Sequence, residues 1–391
     1  MNKARVFFYV QHLLGIGHLK RAVTLARATA AAGLEVTLAS GGMPVPELHA
    51  FAKAGAVSVV QLPPASAADL AFKELLDGNG RRIDDGWRRA RTDALLAAWR
   101  GADADVLVVE LFPFGRRQMR FELLPLLDAA SLRRAAIVCS VRDVLGAQKN
   151  AQRQEETIAL VERYFDRVLV HGDPGVISFD RSFAPAGRIA GRIEYTGYVV
   201  DAAPAADGGA GRDEVIVSAG GGAVGAGLLA AAIRAKPLSA LRDRRWRMLA
   251  GDNLADAEFQ ALARLAADGA GIELERSRPD FTTLLANCAL SVSQAGYNTL
   301  MEIVSTGARS VVVPFAGGHE TEQTLRARCF AERGLLELVE ESALAPETLA
   351  AAIDRAARKP RPSPGAINLG GAQRSAASIA RLAARNAGAG A

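Results

Sequence analysis

The chain has few cysteines and no long apolar run. Its 391 residues include three cysteines, Cys139, Cys288 and Cys329, which lie far apart in sequence. Such wide spacing excludes a disulfide-stapled scaffold and a zinc motif, and it indicates buried, reduced thiols. No apolar stretch approaches the roughly eighteen residues of a spanning helix, and the run in "MNKARVFFYV" is too short for a signal peptide. A cytoplasmic protein is expected, and peripheral contact with the inner membrane face stays open.

The chain also has little excess of charge of either sign. The chain has 47 Lys and Arg against 42 Asp and Glu, a net charge of +5, and contains no long basic run. Nothing therefore indicates a nucleic-acid partner, although mild basicity favours anionic substrates or an anionic membrane surface. Half of the residues are hydrophobic, which is typical of a soluble globular enzyme, and this length predicts two domains.

Short apolar runs alternate with Ala/Leu/Arg-rich helical stretches along the whole chain, which predicts βα units and parallel sheets. The predicted strands are residues 5–10, 35–40, 57–62, 105–110, 135–140, 167–172, 214–219, 246–251, 272–277, 289–294, 309–315 and 335–340. The Ala/Gly/Pro-rich stretch 200–212 reads as a linker. We therefore expect two Rossmann-like doubly wound domains, residues 1–199 and 213–391, facing a ligand-binding cleft.

The segment "GIGH" (15–18) follows the first predicted strand and opens an amphipathic helix. Gly15 and Gly17 allow a tight turn, and the helix N-terminus can attract an anion. The helix dipole disfavours a charged His18, so its imidazole would be neutral and could act as a general base. The alternative is that His18 only packs the helix end.

A second glycine loop, "SAGGGAVGAG" (218–227), follows the first strand of the second half. Gly220, Gly221 and Gly222 would let the backbone approach a diphosphate closely. With Gly225 the same letters also satisfy the dinucleotide fingerprint, so a nicotinamide cofactor remains a weak alternative.

Polar clusters also follow two later strands. In "SQAGYNTLME" (293–302) a strand ends and a helix opens, and Glu302 lies near enough to the helix start to accept the two hydroxyls of a ribose. In "PFAGGHETEQ" (314–323), Glu322 and Gln323 open another helix and suit hydrogen bonding to sugar hydroxyls. The alternative is a local capping cluster.

Together, the GxGH helix start, the glycine loop and these clusters resemble GT-B glycosyltransferases, and among them family 28. The resemblance is specific only over residues 280–340. It implies that Gly220 to Gly222 bind the donor diphosphate, that Glu302 binds the ribose and that His18 stands near the reacting centre. It also implies that one segment approaches the donor phosphates, namely Gln294, Ala295, Gly296, Asn298 and Thr299. Glu322 and Gln323 are implied to bind the donor sugar.

The sequence departs from the family pattern in its shorter first glycine run, in Gln294 where an arginine is usual, and in a sugar-binding turn one residue longer. The retaining GT-B enzymes carry a pair of glutamates separated by seven residues, and here Ser310 stands where the second would be expected from Glu302. Inversion is therefore expected.

The segment "ELFPFGRRQMRFELL" (110–124) follows a strand end in the first half. Glu110 and Arg116, with Gly15 and Gly17, are expected on the acceptor side, where the arginines of this segment could meet an anionic group. The alternative is a solvated basic helix start. Trp87 and Trp99 lie on an Arg-rich amphipathic helix, which predicts core packing, with docking to a membrane surface as the alternative.

The leading hypothesis is thus an inverting glycosyltransferase that uses a nucleotide-diphosphate sugar, with UDP the expected nucleotide. No Asp-x-Asp motif near a strand end calls for a metal, and no cofactor is expected. The acceptor is open and could be lipid-linked or a secondary metabolite. A nucleotide-sugar hydrolase using His18 to activate water and a non-catalytic nucleotide-binding protein are the alternatives, and a nicotinamide oxidoreductase ranks last.

Overall fold

A computed structural model describes residues 3–13, 15–46, 50, 57–68, 74–146, 150–220, 225–267, 269–317 and 321–388. The chain divides into two compact units. The first comprises Met1–Val199 with Gly370–Ala391, and the second comprises Val200–Leu369. Each unit is built on one main parallel sheet, so the predicted class of fold is confirmed.

The first unit contains a seven-stranded parallel sheet and a small antiparallel hairpin. Its strands are β1 (Arg5–Val10), β2 (Glu35–Ser40), β3 (Ser58–Gln61), β4 (Ala65–Ala67), β5 (Leu75–Asp77), β6 (Val106–Glu110), β7 (Ala136–Arg142), β8 (Arg167–His171) and β9 (Ile193–Tyr195). The sheet order is β3-β2-β1-β6-β7-β8-β9, and β4 pairs with β5. Alternate residues of β1 enter two separate cores, since Phe7 and Tyr9 lie in one and Val6 and Phe8 in the other. Coverage of both faces explains the consecutive apolar residues of the strands.

Among the described residues, four α-helices precede the crossing to the second unit. They are α1 (Gly17–Ala31), α2 (Asp85–Ala102), α3 (Arg120–Leu132) and α4 (Ala151–Tyr164). Asp84 caps α2 by accepting a hydrogen bond from the Trp87 amide. Trp99 is 1% exposed and meets Phe7 edge to face, with ring centroids 5.6 Å apart. Core packing is therefore the role of Trp99.

The second unit has a six-stranded parallel sheet. Its strands are β10 (Val215–Ser218), β11 (Trp246–Leu249), β12 (Ile272–Glu275), β13 (Leu290–Gln294), β14 (Ser310–Val313) and β15 (Glu337–Leu338). Its helices are α5 (Ala226–Ala235), α6 (Asp256–Ala267), α7 (Phe281–Asn287), α8 (Tyr297–Thr306), α9 (Glu322–Glu332) and α10 (Pro346–Arg358). The strand order is β12-β11-β10-β13-β14-β15. In the part of the chain described here, no helix is long and apolar enough to cross a membrane.

The last helix, α11 (Gly371–Gly388), packs in the first unit and not in the second, where the range 213–391 had placed it. Ile379 and Ala383 share a core with Leu25 of α1. The Gly371 amide donates to the carbonyl of Tyr198 at 3.0 Å. The amphipathic pattern of α11 specifies that one face is buried, but it does not specify which sheet covers that face.

Both sheets reverse their strand order at one point. In the first sheet, β2 pairs with one side of β1 and β6 with the other, so the order reverses between β1 and β6. In the second sheet, β11 pairs with one side of β10 and β13 with the other, so the order reverses between β10 and β13. In doubly wound sheets, ligands bind at the carboxyl ends of the two strands that flank this reversal. Each unit therefore has one expected binding edge.

Candidate functional site

The binding edge of the first unit holds a histidine and a carboxylate in contact. His18 is the second residue of α1, which follows β1, and Glu110 is the last residue of β6. His18 Nδ1 lies 2.9 Å from Glu110 Oε1, although the two residues are 92 positions apart in sequence. Both were predicted site residues, but Glu110 had been expected only on the acceptor side. No local pattern indicates the pairing, because it depends on the adjacency of β1 and β6 in the sheet.

Glu110 is buried and is held by three donors. Arg21 and His18 both donate to Oε1, and the Ser140 hydroxyl donates to Oε2 at 2.5 Å. Burial alone would raise the pKa of Glu110, but the charge of Arg21 and the hydrogen bonds from His18 and Ser140 hold that pKa well below its usual range. Glu110 is therefore a carboxylate at neutral pH and can only accept hydrogen bonds.

The His18 side chain is 15% exposed. Burial and then the positive charge of Arg116 lower the pKa of His18 to about 3, against the opposing effect of Glu110. The imidazole is thus neutral at pH 7. His18 Nδ1 lies 2.9 Å from the Glu110 carboxylate and 3.1 Å from Arg21 Nη2. Because a lone pair on Nδ1 would be repelled by the nearer carboxylate, which only accepts, the proton of His18 belongs on Nδ1, and Nε2 carries the lone pair. Such an imidazole can take a proton from a hydroxyl or from water.

The acceptor-side residues of the prediction lie at the same edge. Gly17 is the first residue of α1, and Ile16, at the N-cap, makes no side-chain capping bond. A methyl group added at Gly15 would meet no atom within 4 Å, so space is open there. Arg116 has a left-handed backbone (φ 59°), and its Nε donates to the carbonyl of Gln11 at 2.7 Å, just beyond β1. The structure brings Gly15, Gly17 and Arg116 to the His18 and Glu110 edge.

Two site-adjacent residues were missed by the sequence reasoning. Ser140 in β7 and His171 at the end of β8 continue the polar contacts of Glu110 into the next two strands. Their signal was a polar letter after consecutive apolar ones, in "AAIVCS" and "RVLVHG". Polar residues at the carboxyl ends of buried parallel strands are therefore candidates for a site even without a known motif.

In the second unit, the predicted donor-binding residues follow three adjacent strands. Ser218 of β10 pairs with Ser293 of β13, and Gln294 pairs with Val313 of β14. Gly220 follows β10 with a left-handed backbone (φ 71°) that favours glycine, and its amide donates to the Ser218 hydroxyl at 3.2 Å. Gly221 and Gly222 lie outside the described residues.

The phosphate-binding segment of the prediction forms the start of α8. Gln294 ends β13, Ala295 is buried, and Gly296 is the N-cap of α8 and has no side chain to cap its amides. Asn298 and Thr299 lie in the first turn, and Glu302 lies one turn further along, partly buried. The strand register therefore places Gly220, Glu302 and the α8 N-terminus at one edge of the sheet.

Glu322 and Gln323 open α9, which follows β14 at the same edge. Gln323 Oε1 accepts a hydrogen bond from the Phe315 amide at 3.1 Å, so this side chain fixes the loop after β14. Glu322 is only 6% exposed, which leaves a small part of its surface for a ligand. One turn later, the buried Arg326 lies over the Tyr297 ring of α8, 5.2 Å from its centroid. Across the described ranges, no cluster of three or more His, Cys, Asp or Glu side chains could hold a metal ion.

Two doubly wound units, each with polar residues at the strand-order reversal, are the architecture of the two-domain Rossmann-like proteins called GT-B. Residues 216–380 match the glycosyltransferase family 28 C-terminal domain. This match confirms the expected resemblance to family 28.

Curated relatives match over part of their length. The UDP-N-acetylglucosamine--N-acetylmuramyl-(pentapeptide) pyrophosphoryl-undecaprenol N-acetylglucosamine transferase of Paracidovorax citrulli (strain AAC00-1) is 36% identical over 104 residues. That match covers 26% of this chain and 29% of the relative. The enzyme of the same name from Exiguobacterium sp. (strain ATCC BAA-1283 / AT1b) is 33% identical over 98 residues, 25% of this chain and 27% of the relative.

Solved structures match over nearly the whole chain at low identity. The calicheamicin glycosyltransferase CalG4 has a TM-score of 0.59 and 16% identity, with 100% of this chain and 98% of that chain covered. MurG of Acinetobacter baumannii has a TM-score of 0.58 and 16% identity, covering 96% and 99%. Glycosyltransferase VinC in complex with dTDP has a TM-score of 0.60 and 15% identity, covering 97% and 100%. These likenesses establish that the chain has the GT-B fold.

Proposed function

We propose that this protein is an inverting, metal-independent glycosyltransferase that moves a sugar from a nucleotide-diphosphate donor to an acceptor hydroxyl. The observation that carries the proposal is the contact between His18 and Glu110, because it orients a neutral imidazole with its lone pair on Nε2 at the binding edge of the first unit. UDP is the proposed nucleotide, since the curated relatives are named as transferases of UDP-N-acetylglucosamine.

The second unit would bind the donor. Gly220, Gly221 and Gly222 and the uncapped start of α8, with Gln294 to Gly296, Asn298 and Thr299, would accept the diphosphate, as amide-rich helix starts do. Glu302 would accept the ribose hydroxyls, and Glu322 and Gln323 would contact the sugar. These amides would stabilise the charge that develops on the leaving diphosphate, a role that requires no metal ion or other cofactor.

The transfer step breaks the bond between the sugar C1 and the diphosphate oxygen and forms a bond between C1 and the acceptor oxygen on the opposite face. The electron pair of the broken bond leaves with the diphosphate, and the acceptor proton goes to His18 Nε2. Since the pKa of His18 is about 3, this imidazole is a weak base. The proton therefore moves late, when the acceptor oxygen is already bonding to C1 and has become strongly acidic.

Glu110 would keep the imidazole in the Nδ1–H form and stabilise the imidazolium as it forms. Gly15 and Gly17 would leave room for the acceptor, and Arg116 would attract an anionic group on it. The acceptor is proposed to be lipid-linked or a secondary metabolite. A lipid-linked acceptor would bring the protein to a membrane surface.

The test is the His18→Ala variant. Transfer from a UDP-sugar should fall by about two to four decades, because general-base catalysis contributes about that much. UDP binding, followed by calorimetry, should be unchanged, since the donor residues belong to the second unit. Wild-type turnover in His18→Ala would refute the role of the base. Release of UDP at the full rate without any acceptor would instead identify the protein as a nucleotide-sugar hydrolase in which His18 activates water.

A further inference from the structure

Behind Glu110 lies a row of buried polar side chains to which the proposed transfer assigns no role. Ser140 lies two residues before the end of β7, His171 ends β8, and Thr196 directly follows β9. Their exposed fractions are 1%, 0% and 0%. Buried polar groups are costly unless every one of them is hydrogen-bonded. A row of three at one sheet edge therefore requires an explanation beyond packing.

The row is continuous with the His18 and Glu110 pair. Ser140 Oγ lies 2.5 Å from Glu110 Oε2 and 2.9 Å from His171 Nε2. His171 Nδ1 lies 2.9 Å from Thr196 Oγ1. The hydrogen-bonded chain thus runs from α1 through the ends of four neighbouring strands, β6 to β9.

The contact between Ser140 and the Glu110 carboxylate determines the protons of this chain. The Glu110 carboxylate has no proton to give, so the Ser140 hydroxyl must donate to Oε2. Ser140 has a single hydroxyl proton, so its contact with His171 requires that His171 Nε2 carries a proton and donates. A neutral His171 then has its lone pair on Nδ1 and accepts from the Thr196 hydroxyl at 2.9 Å, which is shorter than the distances of that hydroxyl to the carbonyl oxygens of Gly197, 3.1 Å, and Val170, 3.4 Å. His171 and His18 are therefore opposite tautomers.

The geometry also explains what the row does. Arg21 and His18 compete for the same oxygen, Oε1 of Glu110. A guanidinium prefers to bind both oxygens of a carboxylate. The Ser140 hydroxyl on Oε2 prevents the carboxylate from turning wholly toward Arg21, and the N–H of His171 keeps the Ser140 oxygen in place.

We infer that His171, as its Nε2–H tautomer, is a positioning residue that acts through Ser140 on Glu110 and thereby on the orientation of His18. The inference deepens the proposed function and rests on it for its kinetic consequence. Its tautomer assignment does not depend on any activity.

The tautomers can be read directly by two-bond 15N–1H NMR on the full chain labelled with 15N-histidine, with the five histidines assigned by substitution. At pH 7, His171 should be protonated on Nε2 and His18 on Nδ1. A His171 that is protonated on Nδ1, or charged, would overturn the inference. This result stands even if no transfer activity is found.

Kinetics test the positioning role. His171→Leu and Ser140→Ala should lower kcat by about 10- to 100-fold, the size of effect seen for partners that orient a metal-bound imidazole, with the donor KM unchanged. His171→Gln places an amide N–H where Nε2 stood, so it should restore kcat to within a few-fold of wild type. Ser375→Ala is the matched control, because Ser375 is also a fully buried serine of the first unit, bonded to the Gly371 carbonyl at 2.6 Å.

Equal kcat values for His171→Leu and Ser375→Ala, or for His171→Leu and His171→Gln, would overturn the inference. Near-UV circular dichroism establishes that each variant folds. If His171→Leu does not fold, the comparison of Ser140→Ala with Ser375→Ala decides. If the wild type shows no UDP binding and no transfer, the proposed function fails, and the NMR result still decides the tautomer.

Discussion

Replacing Glu110 with glutamine removes the charge that orients His18 and keeps the shape of the side chain. The amide oxygen can still accept one hydrogen bond, and the amide nitrogen can donate to the Ser140 oxygen. The buried Arg21 guanidinium then loses its carboxylate. The variant therefore separates the charge of Glu110 from its volume.

Two magnitudes follow. Removing one partner of a buried ion pair destabilises a protein by about 3–5 kcal/mol. Arg21 and Glu110 are 2% and 3% exposed, so this figure applies with little reduction for solvent screening. For catalysis, loss of the carboxylate that holds a base in its reactive tautomer costs about four decades in serine proteases. At about 1.4 kcal/mol per decade, two to four decades correspond to about 3–5.5 kcal/mol of transition-state stabilisation.

The assay is UDP release from a UDP-sugar with and without acceptor, combined with urea unfolding at pH 7. We expect Glu110→Gln to lose two to four decades in kcat, with the donor KM unchanged, and to lose several kcal/mol of unfolding free energy. Glu194→Gln is the matched control. Its carboxylate also bonds a serine and an arginine, Ser378 at 2.7 Å and Arg381 at 3.0 Å, but it lies outside the site. A kcat for Glu110→Gln within threefold of that control would refute the pairing as the basis of catalysis.

Three further predictions concern pH and packing. Because the pKa of His18 is about 3, kcat/KM should be flat between pH 5 and 8, and an inflection near pH 6.5 would contradict this prediction. His18 and His171 both have pKa values of about 3, below the unfolded value of 6.5. The unfolded chain therefore binds more protons than the folded chain below pH 6.5. The free energy of unfolding measured in urea should be constant above pH 6.5, and below it should fall by up to about 1.4 kcal/mol per pH unit for each histidine. His171→Gln should reduce that slope. In thermal unfolding, Gly371→Ala should destabilise the protein by about 1–3 kcal/mol, because the new methyl group would lie 2.4 Å from the Gly197 carbonyl oxygen. Gly101→Ala in α2 is the control and should not destabilise the protein, because its methyl group would have no atom within 4 Å.

Local patterns predicted most of the main strands because a buried parallel strand is apolar at consecutive positions. The run "RVFFYV" became β1 with the predicted bounds, and the run at 35–40 became β2. The hairpin of β4 and β5 and the edge strand β9 were not predicted, because each has only three residues and carries no such run. The prediction that residues 213–391 form one domain was wrong for the last helix, because α11 buries its apolar face in a core of the first unit.

The sequence by itself determined the class of fold and several candidate positions, since glycines before helices and polar letters after strands are local features. His18 was a candidate base from its place after Gly17 alone. Only the tertiary structure decided that Glu110 is its partner, that Arg21 shares the same carboxylate oxygen, and that Ser140 and His171 lie behind it. The physical reason is that these contacts follow from strand order. Parallel strands far apart in sequence become neighbours only when the sheet assembles, and the buried charges then determine the pKa and tautomer of each histidine.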